Sequence, residues 1–115
     1  MDIEDILKGY IECAIWADME PNEGANIGEV SPESLDLART DIAQFLGFAK
    51  FQLPIYPDDA AQMGHDIWLT RNGHGAGFWD RINLVGSLGE ILTQYAHDIG
   101  PREIYRGDDG RIYIQ

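Results

Sequence analysis

The sequence predicts an α+β domain made of four helices and a C-terminal β-hairpin. Apolar residues recur at helical spacing in four segments, which we expect to form helices at residues 3–17, 32–49, 58–71 and 88–99. Two runs of β-forming residues, 103–106 and 111–114, flank a Gly-Asp-Asp-Gly turn, which is typical of a hairpin. A length of 115 residues fits one domain, so residues 1–115 are expected to fold together.

The helix predicted at residues 3–17 has an apolar face and a charged face. Ile6, Tyr10 and Ala14 recur at helical spacing, whereas Glu4 and Lys8 on the other side have the i,i+4 spacing expected of an ion pair. Pro, Asn and Gly are frequent between residues 19 and 30, so a loop is expected there.

The helix predicted at residues 32–49 begins at a clear start signal. Ser31 can cap free backbone amides, and Pro32 fits the first helical turn. Its core-facing side is expected to consist of Leu35, Ala38, Ile42, Phe45 and Ala49.

The sequence also marks the C-terminus of the third helix, a predicted helix contact within it, and the N-terminus of the fourth helix. Asn72-Gly73 is a natural C-terminal stop for the third helix. The small residue Gly64 within that helix is expected to allow another helix to approach closely. Ser87 and Glu90 have the spacing of a capping box at the start of the fourth helix.

Composition excludes several classes of protein. No apolar run approaches the roughly 18 residues that span a bilayer, and the acidic N-terminus lacks the positive charge of a signal peptide. We therefore expect a cytoplasmic protein without membrane contact. The single Cys13 excludes an internal disulfide, and its apolar helical surroundings indicate a buried thiol rather than a nucleophile.

The net charge of −12 lies mostly in the first third of the chain. Residues 1–41 contain eleven acidic residues against Lys8 and Arg39, a net charge of −9, whereas residues 42–115 carry −3. Such a field repels nucleic acid and favours partners with a basic surface, although it is also typical of proteins whose acidity serves only solubility. The expected partner-binding acidic face consists of Glu4, Asp5, Glu12, Asp18, Glu20, Glu23, Glu29, Glu33, Asp36 and Asp41.

The most distinctive run of the chain has glycine at every second position, at 73, 75 and 77. One interpretation is a small anionic-ligand site around this loop, formed by Arg71, His74, Asp80 and Arg81. The other, which we favour, is a tight structural loop tied by Asp80–Arg81 and sealed by Trp68, Phe78 and Trp79.

Signals for other chemistry are weak. The metal-ligand types His65, Asp66, His74 and Asp80 lie within sixteen residues, but adjacent residues on a helix diverge by about 100°, so no metal site is expected. The glycine run follows a predicted helix, whereas the dinucleotide fingerprint follows a strand. No Gly-x-Ser-x-Gly elbow is present and no Ser stands beside a His. We therefore expect neither an enzyme nor a bound cofactor.

The run HDIWLTRNGHGAGFWDR at residues 65–81 resembles a family of small proteins from bacteriophages and prophages. Those proteins carry nearly the same run, with an aromatic residue where Ile67 stands here. The Ser-Pro-Glu-Ser helix start and the Gly-Asp-Asp-Gly turn also resemble them, so the likeness covers roughly residues 31–115. It implies a phage origin and assigns no activity. Residues 1–30 are then expected to be a variable accessory element.

This resemblance and the charge together favour an acidic binding protein that inhibits a host defence or nucleic-acid-handling complex. We expect an anti-CRISPR-like mode of action, by occlusion or partial DNA mimicry, with a CRISPR effector or nuclease of basic surface as the partner and no direct nucleic-acid contact. Two alternatives are a small anionic-ligand or metal-binding protein that uses residues 73–77, and a phage structural or assembly protein that self-associates through the hairpin edge.

Overall fold

A computed structural model describes residues 1–81 and 83–115 and confirms the α+β class and the order of the elements. The helices are α1 at Ile3–Asp18, α2 at Pro32–Phe48, α3 at Ala60–Arg71 and α4 at Leu88–Ile99. The strands are β1 at Ile104–Arg106 and β2 at Ile112–Ile114, and short 3-10 turns lie at Ile27–Glu29, Leu53–Ile55 and Phe78–Asp80. Within the described ranges, no helix combines the length and the apolarity that a membrane crossing requires.

The N-terminal helix α1 lies in the middle of the hydrophobic core. Ile6, Tyr10 and Ala14 are fully buried, as the helical pattern predicts. Ile11 and Ile15, which lie outside that apolar face, are buried as well, so α1 has neighbours on more than one side. Residues 1–30, expected from the resemblance to be an accessory element, therefore supply a large part of the core.

The backbones of α1 and α3 touch at two glycines. A Cβ atom at Gly64 would overlap the carbonyl oxygen of Ile6 and the amide nitrogen of Tyr10. A Cβ atom at Gly9 would lie 2.5 Å from the carbonyl oxygen of Ala61. The expected close approach at Gly64 is confirmed. Gly9, which lowers the helix propensity of α1, is explained by the same contact.

The start of α2 agrees with its sequence signal, whereas the starts of α3 and α4 differ from the prediction. Ser31 caps α2 by accepting the Ser34 amide at 3.2 Å. Asp59 caps α3, so this helix begins slightly later than the predicted residue 58. The predicted capping box of α4 does not form, because Ser87 adopts φ −91° and ψ 11° rather than the extended conformation of a capping residue.

The predicted hairpin is confirmed and is fastened to the start of α2. The strands pair antiparallel in the register Ile104↔Ile114, Tyr105↔Tyr113 and Arg106↔Ile112. Val30 forms a parallel bridge with Ile112, and the Ser34 hydroxyl accepts the Ile114 amide at 2.9 Å. These contacts hold a two-stranded hairpin that would be marginally stable alone.

Gly64→Ala is expected to lower the free energy of unfolding by about 1–3 kcal/mol, because the new methyl group must push α1 and α3 apart. The matched control is Gly47→Ala in α2, where a new Cβ atom meets nothing within 4 Å. The control is expected to be neutral or stabilising by up to about 1 kcal/mol. Urea denaturation of both variants measures the difference, and equal midpoints would contradict the backbone contact.

Candidate functional site

The glycine loop, residues 73–77, is closed by hydrogen bonds from its own neighbourhood. The Gly77 amide donates to Asp80 Oδ1 at 3.1 Å, and the Phe78 amide donates to Thr70 Oγ1 at 3.2 Å. A phosphate cradle would need such backbone amides free for the ligand. These contacts agree with the structural interpretation of the loop.

Arg71 and Arg81 are each engaged by a carboxylate. Arg71 is 3% exposed, and its guanidinium donates to Asp41 Oδ2 at 2.8 Å. Arg81 forms two bonds with the Asp66 carboxylate, at 2.9 and 3.0 Å, rather than a tie with its neighbour Asp80. These contacts place the two guanidinium groups on different partners, so they do not form one anion site with the loop.

A polar cluster joins the glycine loop to the end of α1. The Asp18 carboxylate accepts the Trp68 indole N–H at 2.6 Å and lies 2.8 Å from His74 Nε2. Trp68 and Phe78 are fully buried and seal the loop, as expected. Trp79 does not, because its side chain is 57% exposed. His74 is thus a link between the loop and α1.

The candidate metal ligands are directed to different partners. Asp66 binds Arg81, Asp80 caps the Gly77 amide, and His74 lies against Asp18. Among residues 1–81 and 83–115, no three His, Cys, Asp or Glu side chains are placed to hold a metal ion.

Cys13 is confirmed as a buried thiol, with 1% of its surface exposed. Burial, followed by the negative charges of Asp18 and Asp66, raises the pKa of Cys13 to about 12. The reactive thiolate is therefore scarcely populated at neutral pH.

The ten acidic residues expected to form one binding face divide into two groups. Five are bound by positively charged or N–H donor side chains, and these are Glu4, Asp18, Glu29, Asp36 and Asp41. The other five are exposed and make no salt bridge within the described part of the chain, and these are Asp5, Glu12, Glu20, Glu23 and Glu33.

Asp41 belongs to the core rather than to a binding face. It is 5% exposed and accepts hydrogen bonds from Arg71 and Arg102, each at 2.8 Å. Burial by itself would raise the pKa of Asp41, but the guanidinium groups of Arg102 and Arg71 outweigh it and hold this pKa below its ordinary value. Asp41 therefore ties α2 to α3 and to the segment before β1.

Trp16, which no sequence signal singled out as a site residue, is 75% exposed between two grooves. A groove of about 420 Å³ separates α1 from the following loop and is lined by Glu12, Ile15, Trp16, Asn22, Ala25, Asn26 and Ile27. A groove of about 400 Å³ on the glycine-loop side is lined by Trp16, Ala17, Leu69, His74, Gly75 and Ala76. We call the residues of both grooves the Trp16 surface. The sequence does contain a signal for this exposure: Trp16 follows Glu12 by four residues and therefore lies on the charged side of α1.

No protein-family model matches the sequence, and comparisons with curated proteins and with solved structures find no significant match. The resemblance of residues 65–81 to bacteriophage proteins therefore stays a prediction from the sequence.

Asp41→Asn is expected to lower the free energy of unfolding at neutral pH by about 3 kcal/mol, because it leaves the buried charge of Arg71 uncompensated. Because the pKa of Asp41 is lowered in the folded protein, its ionised carboxylate contributes fully to the free energy of unfolding above about pH 4. This contribution decreases as the pH falls further and the carboxylate is protonated. The difference between wild type and variant should therefore shrink in acid. Denaturant titrations at several pH values measure it, with the exposed Asp36→Asn as a control of little effect.

Gly77→Ala is expected to lower the free energy of unfolding by about 1–3 kcal/mol, because Gly77 has φ 139° and a Cβ atom there would overlap Thr70 Oγ1. At Gly75 a Cβ atom meets nothing within 4 Å, so Gly75→Ala should change stability by less than about 0.5 kcal/mol. Thermal unfolding of both variants tests the structural interpretation of the loop. An unchanged melting temperature for Gly77→Ala would speak against it.

Proposed function

We propose that this chain is a non-enzymatic acidic binding protein that docks on a basic surface of a host complex that handles nucleic acid. The observation that carries the proposal is a group of five exposed carboxylates on residues 1–33 that make no salt bridge within residues 1–81 and 83–115, in a chain with net charge −12. The protein would inhibit its partner, a defence complex such as a CRISPR effector or a nuclease, by occlusion or partial DNA mimicry.

The ion pairs support a binding face with fewer acidic residues than the ten that the sequence predicts. Arg39 already compensates Glu4, and Arg106 compensates Glu29, at 2.9 Å in each pair. Charges that have no such partner contribute most to the long-range attraction of a basic surface. We therefore assign the face to Asp5, Glu12, Glu20, Glu23 and Glu33.

Two of these acids lie on the same side of α1. Asp5 and Glu12 are seven residues apart, which is close to two helical turns. Glu20 and Glu23 follow in the loop directly after the helix. Exposed carboxylates attract basic grooves that normally bind phosphates, and salt weakens the attraction.

An exposed tryptophan beside these acids favours binding over simple solubility. Trp16 is 75% exposed and lines the same groove as Glu12, which places an aromatic side chain beside an exposed carboxylate. Trp is enriched among the residues that contribute most to protein–protein binding. The host and defence part of the proposal is supported by the resemblance of residues 65–81 to phage proteins.

The test is affinity capture from a bacterial lysate with the triple charge reversal Glu12→Lys, Glu20→Lys and Glu23→Lys. Wild type is expected to capture a nucleic-acid-handling complex at low salt and to release it at high salt. The triple variant should lose about 100-fold or more in affinity, because like charges then face each other at the interface. Its three positions are exposed and make no salt bridge among the described residues, so the fold should persist, which circular dichroism checks.

A matched control reverses three exposed acids elsewhere, Glu90→Lys, Asp98→Lys and Asp108→Lys, and changes the net charge by the same amount. The control should capture the complex as wild type does. Inhibition is measured separately, as the nuclease or interference activity of the captured complex. Equal capture by wild type and the first triple variant would contradict the proposal.

A further inference from the structure

We infer that the Trp16 surface docks a segment of the partner protein in which a lysine or arginine stands beside an apolar residue. This inference rests on the proposed function, since it names the part of the chain that the partner contacts.

The apolar part of the inference follows from the exposed indole and its surroundings. Ile15 is buried beneath the groove between α1 and the loop, and Ala25 and Ile27 are half-buried along it. On the other side of Trp16, Leu69 and Ala76 line the glycine-loop groove. Each groove has the size of a small ligand pocket, roughly 300–1,000 Å³, and is large enough to receive an apolar side chain of a partner.

The basic part of the inference follows from charge complementarity. Glu12 lines the same groove as Trp16, is exposed, and takes part in no salt bridge within residues 1–81 and 83–115. Glu20 and Glu23 are exposed in the loop that forms the opposite wall of this groove. A lysine or arginine side chain can pair with Glu12 and lie over the face of the indole, which attracts cations.

The loop wall of this groove is held in place before any partner binds. The Asn22 side-chain amide donates to the carbonyl oxygens of Ile15 at 3.2 Å and Trp16 at 3.3 Å. At the far end of the loop, Glu29 pairs with Arg106 of β1 at 2.9 Å. Docking on an ordered wall loses less conformational entropy than docking on a mobile loop.

Gly75 leaves the second groove open beside Trp16. Its φ is not positive, and a Cβ atom there would meet nothing within 4 Å, so neither conformation nor packing requires glycine at this position. The absence of a side chain at Gly75 instead keeps the groove beside Trp16 open. The alternating glycines thus have different roles: Gly77 shapes the loop, and Gly75 leaves room for a partner.

The test selects peptides from a random heptapeptide library displayed on filamentous phage against the immobilised full chain. Enriched peptides are expected to share a basic residue next to an aliphatic or aromatic residue. Synthetic copies of these peptides are then titrated by fluorescence polarisation. Trp16→Ala, and Gly75→Leu, which fills the glycine-loop groove, should each weaken binding about tenfold or more.

Trp79→Ala is the matched control, because it removes a 57% exposed tryptophan that lines neither groove of the Trp16 surface. It should leave peptide affinity within about twofold of wild type, and circular dichroism should show all three variants folded. The inference is overturned if no peptide is enriched, if the enriched peptides lack basic residues, or if Trp16→Ala binds them as well as wild type.

Capture of the host complex separates this inference from the proposed function. If the Glu12, Glu20 and Glu23 reversal loses the complex while Trp16→Ala and Gly75→Leu retain it, the electrostatic function stands and the Trp16 docking site is wrong. If the two groove variants lose the complex and the charge reversal retains it, the apolar contact at the Trp16 surface stands, whereas the acidic mechanism and the pairing of Glu12 with a basic residue are wrong.

Discussion

The backbone contact between α1 and α3 sets the position of the side chains that join the end of α1 to α3. Because Gly9 and Gly64 allow the two helices to touch, Trp68 of α3 packs edge-on against Tyr10 of α1, with ring centroids 5.2 Å apart. The same spacing brings the Trp68 indole N–H to Asp18 at the last position of α1. The glycine loop and the Trp16 surface both depend on that end of α1.

A buried network of hydrogen bonds and ion pairs around Arg71 links α3 to the other helices. Arg71, at the last position of α3, donates to the carbonyl oxygens of Ile99 and Gly100 and so satisfies the C-terminal end of α4. It also binds Asp41 and the Tyr10 hydroxyl. Burying such charges is unfavourable unless their hydrogen bonds are complete. Within the described residues, Gln52 Oε1 is the one buried side-chain polar atom left without a partner.

Local periodicity was enough to predict the helices and the hairpin, because capping residues, turn residues and apolar spacing all act over a few positions. It did not predict that α1 is central. That property depends on Ile11 and Ile15 meeting neighbours on a second side of the helix, which no spacing within α1 reveals. It also did not predict which carboxylates are compensated. Glu4 pairs with a residue 35 positions away and Glu29 with one 77 positions away. The tertiary fold alone brings such partners together.

The unpaired carboxylates have a thermodynamic consequence for the free protein. Glu12, Glu20 and Glu23 face water and make no salt bridge in the described part of the chain, and the self-repulsion of a net charge of −12 opposes the compact state. Dissolved ions that screen this self-repulsion over about 8–10 Å stabilise folding, whereas the same ions weaken association with a basic surface. Ionic strength therefore acts on folding and on association with opposite sign. A basic partner that neutralises these charges would stabilise the chain it binds, so the complex should resist unfolding better than the protein alone.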